Sequence, residues 1–196
     1  MVKCFNKDDS FYYGPEFFGL VHYRNAVVIG SILEMLTLAG IVFSSIILQT
    51  IYLITGLWST MFVLVIGITV FIVSIIMIYG VVSENPKLIL PQLAILQIET
   101  TVLILIAIVS IFSMSCGISV TNYLFSFFIN VQITEKEFGP IWPFNITALA
   151  FVGSLACIWF QSVVKNAYEY LLDKNYFDAL EGTNNNIEMT RNNKRK

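Results

Sequence analysis

Charge is what this chain of 196 residues has least of: 11 basic and 13 acidic side chains make up 12% of it, half the share of a typical soluble domain. Only seven of them lie between Ala26 and Val164. A net charge of −2 with no basic patch in the body excludes a nucleic-acid partner. Three cysteines give no disulfide framework, and the single histidine, His22, has no cysteine or carboxylate cluster around it to hold a metal. No nucleophile elbow, P-loop or zinc motif occurs, so neither an enzyme nor a cofactor is expected. What the chain does have is 57% hydrophobic residues and a mean hydropathy of +0.77, which exclude a disordered or collagen-like chain.

Those residues fall in runs of membrane-crossing length. A bilayer core of about 30 Å needs roughly 20 apolar helical residues. Residues 26–82 contain one charge, Glu34, too long a run for one span and right for a hairpin broken at Thr55-Gly56-Leu57-Trp58-Ser59-Thr60. The expected spans are about 26–50, 58–82, 88–111 and 143–164, with a polar turn at 83–87 and a wetter loop at 112–142. An all-α integral membrane four-helix bundle follows. It would be preceded by the segment 1–25 and followed by the tail 165–196, which reads as disordered after about 182.

Ten of the basic residues lie in 1–25, 83–87 and 165–196, against Lys136 alone on the other side. The positive-inside rule then places both termini in the cytosol, with Trp58 and Trp142 at the opposite interface. The first 25 residues lack a cleavable signal sequence, so the first span is expected to direct insertion. Asn145-Ile146-Thr147 is a glycosylation sequon too close to the fourth span to be used.

Two carboxyl groups fall inside spans. Each costs about 2.5–3.5 kcal/mol in hydrocarbon on insertion scales, so Glu34 and Glu99 are expected to face the bundle interior. Gly30, Glu34, Thr37, Ile41 and Ser44 share a face of the first span, and Gln92, Glu99 and Ser110 share one of the third. At about 1.5 Å per residue, Glu34 lies roughly 12 Å and Glu99 roughly 17 Å from the cytosolic ends of their helices, near enough in depth to approach each other. With no basic residue in a span to pair with them, at least one is expected to be protonated at pH 7. Glu34, Glu99 and Gln92 are therefore the candidate partner or lipid site. Small-residue pairs such as Ala26 with Gly30, Gly40 with Ser44 and Gly153 with Cys157 are expected to pack helices within the chain. Tyr168-Glu169-Tyr170-Leu171 matches a tyrosine-based sorting signal, with Tyr168 and Leu171 as its key residues.

With the topology in place, the flanks of the spans resemble those of the lysosome-associated protein transmembrane family. His22-Tyr23-Arg24 is similar to that family's His-x-Arg before span one, and Tyr79-Gly80-Val81 to its Tyr-Gly-Ala at the end of span two. Leu90-Pro91 with Glu99 resembles its proline and acidic residue in span three, and Asn166-Ala167-Tyr168-Glu169-Tyr170 its end of span four. The chain lacks the family's cysteine cluster, its long first loop and the proline-tyrosine motifs of its tail, so ligase recruitment does not carry over. The resemblance implies residence in late endosomal or lysosomal membrane, with the plasma membrane as the alternative, and sphingolipid contact near Glu99. Together these observations point to a non-enzymatic adaptor or accessory subunit that binds another integral membrane protein and a membrane lipid. The alternative is a small proton-linked carrier or channel subunit that uses Glu34 and Glu99.

Overall fold

The computed structural model describes residues 22–193, with side chains for 22–180 apart from residue 118. Among the described residues every regular element is helical: α1 (Tyr23–Thr50), α2 (Leu57–Val82), α3 (Leu90–Cys116), α4 (Ile118–Phe125), α5 (Val131–Phe138) and α6 (Trp142–Asn193), with a 3-10 turn at Pro86–Leu88. Four of these helices, α1, α2, α3 with its preceding turn, and α6, are long and apolar enough to cross a membrane. In lipid a helix alone satisfies its own backbone, which is why apolar runs of this length fold this way.

Local chemistry sets the boundaries. The His22 imidazole caps α1 by accepting from the Arg24 amide, and the Asn85 and Asn130 side chains accept from Lys87 and Ile133 at the starts of the next turns. Pro91 sits in the first turn of α3, where its missing N–H is not needed. Gly117 and Gly139 end α3 and α5 at φ +89° and +76°, a region that side chains disfavour. The loop expected over 112–142 is thus largely helical. α3 runs on to Cys116, with the Ser113 and Ser115 hydroxyls returned to the carbonyls of Ser110 and Ile111.

The helices pair as α1 with α2 and α3 with α6, and the α3–α6 seam is the most extensive contact. α1 reaches α6 at the end of the bundle that holds residues 22–27, 82–89 and 160–175. There Tyr23, Val27, Met77, Leu96, Phe160 and Val164 belong to one apolar core. Gly30 makes the approach possible, since a Cβ on it would sit 2.3 Å from the Phe160 ring. At the other end residues 54–56 pair with 128–130 through a bridge between Thr55 and Ile129.

Two expectations change. Trp142 is 4% exposed and packs edge-on against Phe125 of α4, so it braces the end of the bundle, whereas Trp58 is 79% exposed. α6 does not stop near 164. It continues because Ala167, Tyr170, Leu171 and Lys174 extend its buried stripe. From 181 to 193, within the stretch whose composition reads as disordered, only the helical backbone is described.

Candidate functional site

One level of the bundle gathers polar side chains from all four long helices. On α1, the Glu34 carboxyl accepts from Ser74 Oγ of α2 at 2.7 Å and from Gln92 Nε2 of α3 at 2.7 and 2.9 Å. Tyr23 meets Asn166, and Gly30 meets Phe160, across the antiparallel α1–α6 contact. One further turn along α1 brings Glu34 level with Cys157 of α6. The Cys157 thiol donates to Glu99 Oε2 of α3 at 4.0 Å. Glu34 and Glu99 lie within electrostatic reach of each other. The hydrogen-bonding partner of Glu34 on α3 is thus Gln92, two turns before Glu99 on the same helix.

Ser74 and Gln92 are both 0% exposed, so the Glu34 cluster is sealed on the α2 and α3 sides. Among the described residues Gln92 Oε1 is buried with no hydrogen-bond partner, and the amide bonds Glu34 alone. Ser74 is the residue that sequence reasoning missed. Its signal was a seven-residue spacing, Thr60-Gly67-Ser74-Val81, in which every position is buried. Among the described residues no group of three His, Cys, Asp or Glu side chains could hold a metal.

Beyond this level α1 loses its cover. No residue from 32 to 44 is buried, while α2, α3 and α6 keep buried positions along their spans. A groove of about 750 Å³ runs along this half of α1, past Leu33, Thr37, Gly40, Ser44 and Leu48 to Val63 of α2. Gly40 stands out among the glycines inside α1, α2, α3 and the described part of α6. A Cβ on Gly30, Gly67, Gly80 or Gly153 would meet a side chain of this chain within 3.4 Å, whereas one on Gly40 would meet nothing within 4 Å. The Gly40–Ser44 pair, expected to pack helices within the chain, is exposed, and nothing among the described residues fills the space above Gly40.

At the opposite end, Glu84 in the α2–α3 turn pairs with Arg24 at 3.4 Å and with Lys174 of α6. Glu84 holds φ +57°, an uncommon conformation for a non-glycine residue that the two ion pairs hold in place. Lys174 is only 8% exposed, so removing its counter-charge costs more than at a surface pair. Glu84→Ala is expected to cost about 2 kcal/mol and lower the Tm of the detergent-purified chain by about 4–8 °C. Glu84→Asn, which suits the backbone but lacks the charge, should fall with it. An unchanged Tm for both would show that the clasp contributes nothing.

The sorting signal expected at Tyr168 and Leu171 is not presented in this fold. Leu171 is 1% exposed in the apolar core, Tyr168 is half-buried against that core, and both lie within unbroken helix.

No protein-family model matches the chain, and no solved structure matches it. It is similar to protein cuti-1 of Caenorhabditis elegans, with 31% identity over 175 residues that cover 88% of this chain and 86% of that protein.

Proposed function

The chain belongs to the family of protein cuti-1, and we propose that it serves as a non-enzymatic, four-span accessory subunit that binds another integral membrane protein along the uncovered half of α1. The observation that carries this is Gly40. A glycine inside a helix costs about 1 kcal/mol relative to alanine, and small residues in membrane helices let a second backbone come close. Among the described residues none uses that space. The proposal places both termini in the cytosol, on the distribution of basic residues. It takes late endosomal or lysosomal membrane as the site of action, on the flanking motifs, and includes lipid contact at Glu99.

Photo-crosslinkers at Thr37 and Ser44 test it. Both positions should trap one membrane protein in native membranes, while a crosslinker at Ile72, on the exposed side of α2, should not. Gly40→Phe should abolish the adduct without unfolding the chain, since its side chain enters open space. Equal adducts at all three positions, or none, would overturn the proposal.

A second reading is favoured by two carboxyls, Glu34 and Glu99, lying inside long apolar helices within electrostatic reach of each other: a proton-linked carrier. Reconstitution separates the two. Flux driven by a pH gradient and abolished by Glu34→Gln or Glu99→Gln supports transport, and silent vesicles support the accessory subunit.

A further inference from the structure

We propose that the α3–α6 seam carries a binding site for a zwitterionic phospholipid whose headgroup ends in a primary amine, the ethanolamine class. The site is a groove of about 470 Å³ whose walls include Leu93 of α3 and Ile158, Gln161, Lys165, Tyr168 and Glu169 of α6. Lys165 is the first charge after Glu137, so it and Glu169 stand where the uncharged run ends, at headgroup depth.

The two charges lie 3.9 Å apart on successive turns, with side chains 66% and 55% exposed. That is the loose end of the ion-pair range, and each group keeps most of its hydrogen-bonding capacity for a ligand. Lys165 can take a phosphate while Glu169 takes a neighbouring ammonium. A purely anionic headgroup would gain the lysine but meet the carboxylate, whereas a zwitterion satisfies both. The carboxylate also distinguishes amines: a primary ammonium offers N–H donors, and a quaternary one offers none.

One turn deeper, Gln161 Nε2 donates to Gln97 Oε1 at 2.8 Å across the seam. Gln97 is exposed, and its own Nε2 has no protein partner among the described residues. A free amide N–H facing acyl chains is costly, and the ester carbonyls of a phospholipid lie at this depth to accept it. Leu93 and Ile158 then flank the first stretch of acyl chain. This site requires a bilayer around the chain but not a partner on α1.

The test is native mass spectrometry of the full chain released from nanodiscs with equal parts of phosphatidylethanolamine, phosphatidylcholine and phosphatidylglycerol. The ethanolamine lipid should be retained about tenfold over the choline lipid, the ratio expected for one charge-assisted hydrogen bond. Glu169→Gln should bring that ratio close to one while leaving total bound phospholipid unchanged. Lys165→Met and Gln97→Leu should lower all retention. Lys165→Met and Glu169→Gln should melt within about 2 °C of the parent, as surface changes do, and Gln97→Leu somewhat lower because it strips Gln161 Nε2 of its acceptor. Gly40→Phe should leave lipid retention intact, which separates this site from the partner face. Equal retention of the three lipids by the parent chain, preference for phosphatidylglycerol, or an unchanged ratio in Glu169→Gln would overturn the proposal.

Discussion

Gly30→Val is expected to be the most damaging single substitution in the chain. A Cβ there would lie 2.3 and 2.7 Å from two ring carbons of Phe160, which is itself buried in the core that joins α1 to α6. Phe160 is 6% exposed, so turning its ring aside displaces core neighbours or parts the helices. Overpacking of this kind costs typically 1–3 kcal/mol, and the loss of the α1–α6 seam adds to it. A drop in Tm of about 10 °C or more, with α1 more open to protease or thiol reagents, is the expected result. Phe160→Ala should restore part of the stability in the double variant, because the added methyl groups then fill the space left by the ring. Gly40→Phe, ten residues along the same helix, should leave Tm within about 2 °C. The two glycines have the same chemistry and differ only in what faces them, so equal effects would contradict the structure.

The second large effect is expected at Glu34. Glu34→Leu removes the acceptor for Gln92 Nε2 and Ser74 Oγ, both from fully buried residues. Ser74 can turn to the carbonyl one turn back along α2. Gln92 has no such exit and is left with its whole amide unpaired, since Oε1 already lacks a partner among the described residues. The cost is about 2–4 kcal/mol, seen as a fall in Tm of roughly 5–12 °C. Glu34→Gln keeps a carbonyl in place and should lose little. The double variant Glu34→Leu with Gln92→Leu should recover most of the loss, because no orphaned amide remains. A double variant as unstable as the sum of its singles would show that the two residues act independently.

How far the sequence discloses this architecture depends on the residue. The four long helices were legible because an uncharged run of 20 or more residues has few other solutions in lipid. Glu34 and Gln92 were legible as inward-facing because of the cost of exposing them to acyl chains. Their pairing was not. Depth alone suggested Glu99 for Glu34, but on α3 it is Gln92, fully buried, that donates to the Glu34 carboxyl. Ser74 was obscured by its resemblance to Thr69, an exposed hydroxyl on α2 that bonds its own helix at Val65. Only the seven-residue register of buried small residues distinguishes them.

Glu84 was hidden for a different reason. Its partners Arg24 and Lys174 lie 60 and 90 positions away in sequence, and they meet only because α6 continues past the apolar run. That continuation also changes the meaning of Tyr168-Glu169-Tyr170-Leu171. A motif that a partner would read in extended form is here part of a helical stripe, with Leu171 turned into the core. Sequence spacing cannot separate these two uses, because a tyrosine followed three residues later by a leucine is equally a helical face.

The measurement that bears most directly on the account is the mass of the particle obtained when the chain is extracted from its native membrane in lipid nanodiscs. The account predicts the chain together with one distinct membrane protein in fixed ratio, a complex that Gly40→Phe reduces to the chain alone without loss of folded material. A lone chain, a multiple of its own mass, or a complex indifferent to Gly40→Phe would contradict it.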